Sequence, residues 1–183
     1  MFRRNARANQ GQIVLTPNQF NLLTEANQLI ANNKFQQAAL IFAQLAVEME
    51  TTRHPRRAAN FHARAAHAFA DAGDALQSLS HARAALNLFI QFQMVNRIYH
   101  FYTNIIQKMR NHGMQAAVNE LEKEFSNKIG AIPSPAQPTP LRSGHLPPSC
   151  PKCGAPARSD EVDWIDNQSA ECNYCGAVLQ VLS

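Results

Sequence analysis

Asn33-Lys34-Phe35-Gln36-Gln37-Ala38 opens with a turn and runs into an apolar stripe, and Gly73-Asp74-Ala75-Leu76-Gln77-Ser78 does the same forty residues later. His112-Gly113-Met114-Gln115-Ala116-Ala117 repeats the device about 39 residues further on. Between these turns, apolar residues recur at spacings of three and four, the mark of a helix with one buried face. Phe35, Ala38, Phe42, Leu45 and Met49 form one stripe; Leu79, Ala82, Leu86 and Phe89 form another; Ile98, Tyr102, Ile105 and Met109 a third; Met114, Ala117, Leu121 and Phe125 a fourth.

Working outward, Leu22, Ala26, Leu29 and Ile30 extend the pattern towards the N-terminus. Thr16-Pro17-Asn18-Gln19 starts it with a capping box: the Thr hydroxyl accepts from a free helix N–H, Gln reaches back, and Pro sits where its missing N–H costs nothing. Asp74, with Gln77 three residues on, repeats that start signal. Breaks fall at Asn32-Asn33, Thr51 to Pro55, Gly73 and Gly113. Gln91 to Val95 carries no turn residue, so one helix or two fit there equally. The sequence therefore predicts a mainly α domain of three stacked antiparallel helical hairpins, because one hairpin cannot bury its own face. Phe35, Phe42, Leu45, Phe69, Leu79, Leu86, Ile98, Ile105 and Leu121 are its expected core.

These residues resemble the tetratricopeptide superfamily. The resemblance lies in Phe35, Ala38, Phe42, Leu45 and Ala46 of the first repeat and in Gly73, Ser78, Ala82 and Ala85 of the second, and covers about 110 residues. The third repeat is degenerate, the period exceeds the usual 34, and the Pro expected at the end of each repeat is missing. A plain six-helix bundle carries the same stripes.

The remaining sequence divides at composition shifts. Residues 1–15 read as a disordered basic arm, 16–129 as the helical domain, 130–149 as a semi-extended linker holding six of the ten prolines, and 150–183 as a small C-terminal domain. The basic start has no apolar segment behind it and no stretch is apolar enough to span a bilayer, so a cytoplasmic protein without a membrane span is expected.

All four cysteines lie in that last domain, as Cys150-Pro151-Lys152-Cys153-Gly154 and Cys172-Asn173-Tyr174-Cys175-Gly176. Two thiolates two residues apart grip one ion from a tight turn, and the following Gly lets backbone N–H groups turn towards sulfur. Four thiolates close a tetrahedral shell, leaving no open position for catalysis. Val162 to Ile165 and Ala177 to Val181 read as strands. Residues 149–183 resemble the zinc ribbon family, which implies one structural zinc on Cys150, Cys153, Cys172 and Cys175 and a small β fold. The same cage holds iron in rubredoxin-like electron carriers, where apolar residues shield the metal; here only Trp164, Tyr174 and Val178 offer shielding.

No phosphate-binding Gly loop, metalloprotease helix or nucleophile elbow is present, so a non-enzymatic protein is expected. Charge is uneven: residues 1–130 hold 14 Lys and Arg against 8 Asp and Glu, and residues 131–183 hold 3 against 5. Arg57, Asn60, Arg64 and His67 share one stripe, and Arg97, His100 and Asn104 its counterpart forty residues on. In a tetratricopeptide-like array these stripes face a groove suited to an acidic protein segment. A protein-interaction scaffold is thus the main expectation, with the ribbon as a second docking module uncoupled by the linker. The alternatives are a transcription- or RNA-associated nucleic-acid binder and the electron carrier.

Overall fold

A computed structural model describes residues 15–132, 145–159 and 162–182; the basic arm up to residue 14 and most of the proline-rich linker lie outside the described residues. Six helices follow in order: α1 Pro17–Ala31, α2 Phe35–Thr51, α3 Pro55–Asp71, α4 Ala75–Gln91, α5 Val95–Asn111 and α6 Gln115–Gly130. The capping box at Thr16 forms as expected, and Asp74 accepts from the Gln77 N–H at 3.0 Å.

From α2 onward the helices start every twenty residues, at positions 35, 55, 75, 95 and 115. One turn, used five times, sets this spacing. Asn33, Arg53, Gly73, Gln93 and Gly113 all have positive φ. At each turn the next residue donates its N–H back to a carbonyl five positions earlier: Lys34 to Leu29, His54 to Met49, Asp74 to Phe69, Met94 to Phe89 and Met114 to Met109. This left-handed ending satisfies the last carbonyls of one helix, and the same residue is the N-cap of the next. The open question at residues 91–95 is thereby answered: the chain breaks there, with Gln93 at φ 53° doing what Gly73 and Gly113 do elsewhere. Gln is a poor left-handed residue, and for that reason the turn was silent in the sequence.

Every expected core residue is buried except Phe35, which is partly exposed. α3 is central, packed by α2 and α4 and also touching α5. Its length is lined with buried alanines (Ala58, Ala59, Ala65, Ala66, Ala68 and Ala70), whose small side chains admit close neighbours on several sides. Polar ties bind successive hairpins at one offset of 37 residues: Arg64 to Asn27, Arg97 to Asn60, Lys108 to Asp71 and Arg83 to Glu120.

The C-terminal part folds into a three-stranded antiparallel sheet of β1 Asp163–Trp164, β2 Ser169–Glu171 and β3 Val178–Gln180, in the order β1-β2-β3. Trp164 pairs with Ala170, and Ala170 with Leu179. The middle strand, absent from the sequence reading, is entered through a turn in which Asp166 accepts from the Gln168 and Ser169 N–H groups. The C-terminal end of the linker joins this unit through bridges from His145 to Leu182 and from Ser149 to Pro156. The sheet and helices are not uncoupled. Buried residues of α1 to α3 and of the cysteine domain form one continuous apolar cluster, from Leu23, Phe42 and Phe61 through to Cys150, Cys172 and Leu179.

Candidate metal centre

The two knuckles are built alike. In the first, Cys150 N–H donates to Ala155 O at 2.7 Å and Gly154 N–H to Cys150 O at 2.8 Å; in the second, Cys172 N–H donates to Ala177 O at 2.8 Å and Gly176 N–H to Cys172 O at 2.9 Å. Gly154 and Gly176 have φ of 74° and 76°, the conformation each tight turn demands.

These turns aim four buried sulfurs at one point. All four lie within 4.8 Å of one another, with 3.7 Å between Cys150 and Cys175 Sγ and 3.8 Å between Cys153 and Cys172 Sγ. A tetrahedron with metal–sulfur bonds of about 2.3 Å has edges of about 3.8 Å, whereas a disulfide needs about 2.05 Å. The geometry fits a four-thiolate ion site, and the cysteines are free thiols. Their mutual hydrogen bonds pull the Cys150 thiol far below its ordinary range and push Cys153 far above it. Four thiolates coexist at this separation only around a cation, whose charge deprotonates all its ligands. The donor set is soft and complete, which suits zinc or iron. Of the expected shielding residues, Trp164 and Tyr174 are partly buried, while Val178 is 46% exposed.

The basic stripe was expected to face an acidic partner, and the structure sets much of it against the cysteine domain of the same chain. Arg57 reaches Glu171 at 3.4 Å. Asn60 donates to the Asn173 carbonyl at 3.3 Å and accepts from the buried Arg97. Arg64 lies over Phe42 at 4.6 Å and Tyr174 at 5.7 Å from the ring centroids, and donates to Asn27. Asn27 in turn donates to the Cys153 carbonyl at 2.6 Å, and its Cβ lies 3.5 Å from where a side chain on Gly154 would begin. Phe61 packs its ring 5.8 Å from that of Tyr174. His100 meets Arg158 at 3.4 Å, and Asn104 remains exposed. His67 packs edge-on to Phe101, and its covered Nδ1 has no hydrogen-bond partner among the described residues. Among the described residues one ion pair, Arg57 to Glu171, joins the stripe to the cysteine domain; the other contacts at the knuckles are hydrogen bonds to knuckle carbonyls and ring packing.

A second polar cluster escaped the sequence reading. His62 Nδ1 lies 2.8 Å from His81 Nδ1, and His62 Nε2 lies 3.2 Å from Glu50. Burial lowers the His81 pKa to about 4, with His62 adding to the effect. Spacing gave no sign of it, since the three residues sit on three different helices.

No helix among the described residues is long and apolar enough to cross a membrane. The chain matches no family model, no curated protein and no solved structure.

Proposed function

We propose that this chain is a non-enzymatic protein-interaction scaffold carrying one structural zinc. The observation that carries the zinc is the set of four buried sulfurs at tetrahedral edge distances, with every coordination position taken by protein. A closed shell holds structure and presents no site for substrate. Zinc is favoured over iron because the sequence around the knuckles is polar, with Lys152 in one and Asn173 in the other. Cysteines held as metal ligands and not as disulfides accord with a reducing compartment such as the cytoplasm.

The scaffold role is supported by the repeat architecture. Stacked hairpins bury their core between neighbours and leave long continuous sides for contact. With α1 and α3 engaged by the cysteine domain, the outer side of α2 is the candidate contact surface: Leu40 and Val47, seven residues apart on one face, are 57% and 52% exposed.

Elemental analysis of the pure full chain is expected to give one equivalent of zinc in a colourless sample; a red, iron-containing sample would move the reading to electron transfer. Purification at low and high salt is then compared for wild type and a Leu40→Arg, Val47→Arg double variant. A salt-resistant protein partner lost in the double variant supports the scaffold. Salt-labile RNA or DNA in its place would convert the reading to nucleic-acid binding.

A further inference from the structure

The contacts that join the cysteine domain to the helices converge on the knuckles. Asn27 holds the carbonyl of Cys153, Asn60 holds the carbonyl of Asn173, Arg64 and Phe61 take the Tyr174 ring, and Arg57 takes Glu171, the residue before Cys172. Each of these ribbon groups sits on, or beside, a metal-ligating turn. The turns have no core adequate to hold them alone: the sheet has two- and three-residue strands, and a unit of this size depends on metal to fold. The helices differ, since α3 to α6 have their own apolar cluster from Ala59 to Ile129 containing no ribbon residue.

From this we infer that the cysteine domain is a metal-dependent cap on the array: occupation of the four-cysteine cage decides whether the α1/α3 face is covered. With metal, Asn173, Tyr174 and Glu171 are held in the positions that Asn60, Arg64 and Arg57 recognise. Without it the knuckles lose their shape, the cap detaches, and Phe61 and the polar groups of Arg57, Asn60 and Arg64 open to solvent while the helices persist. The covering and uncovering stand apart from the scaffold reading, because they concern contacts within one chain.

Radical footprinting of the full chain tests this, read by mass spectrometry at Phe61, which is fully buried in the capped form. Labelling is compared between zinc-loaded protein and protein treated with chelator and reductant, with far-UV circular dichroism as the monitor of helices. The expected result is a several-fold rise in Phe61 labelling on chelation, with the helical signal retained. A second arm keeps the metal: Glu171→Arg with Tyr174→Ala is expected to retain one zinc yet label Phe61 like the chelated protein. The inference is overturned if Phe61 stays protected after all four cysteines have become alkylatable. It is equally overturned if the helical signal collapses on chelation, since the ribbon would then be a part of the array's core and not a cap over it.

Discussion

Phe42 shows how much one side chain carries. It is fully buried in the cluster shared by helices and cysteine domain, with the Arg64 guanidinium 4.6 Å above its ring. Phe42→Ala removes the packing and the cation's ring together, and a loss of about 3–5 kcal/mol is expected by denaturant unfolding. His67 gives a pH signature. Burial, with Lys108 and Arg64 adding positive charge, lowers its pKa to about 3 from 6.5. The unfolded chain therefore takes up the proton first, and the stability that neutral His67 contributes is lost as pH falls from about 6.5 towards 3, at no more than about 1.4 kcal/mol per unit. Wild type and His67→Leu are to be compared by melting across that window, so that acid release of metal, common to both, cancels. The stability difference should move in favour of the variant as the pH drops; a difference independent of pH would sink the assignment.

At the scale of the element, the five turns are one solution written in different residues. Gly113 has open space where a Cβ would go, so Gly113→Ala should lose stability from backbone conformation alone, about 1 kcal/mol. Gln93→Gly should gain a similar or smaller amount by relieving the left-handed Gln. Opposite signs in thermal melts of the two variants check both. These turns also mark what the sequence made legible. Gly73 and Gly113 announced themselves, because glycine in a helical pattern signals a stop. Gln93 did not, because its strain is held by the helices on either side. The cysteine spacing disclosed the cage for the reason that metal geometry fixes ligand spacing locally. The partner of Arg57, Asn60 and Arg64 was hidden, since the contact to Tyr174 spans more than a hundred residues and no local pattern encodes it.

On the scale of the whole molecule, the proline-rich segment suggested two independent parts, and the shared apolar cluster joins them. Cys172→Ser breaks the cage, and the loss should reach the helices that touch it: their melt is expected to fall by several degrees, a lost 1 kcal/mol being worth about 2–4 °C in a chain of this size. An unchanged helical melt would restore the uncoupled arrangement. The outer ion pairs matter less. Arg83, which bridges from α4 to Glu120 and Glu124 on α6, is partly exposed, and Arg83→Ala should cost about 1 kcal/mol or less.

The twenty-residue beat of the helices makes the array a ruler. A hairpin cut at its turns, residues 55–94, is a cassette whose two ends have the same backbone shape as every other joint. Copying that cassette once, immediately after itself, would add two helices without changing a single turn, and lengthen the protein in a quantum set by its own grammar.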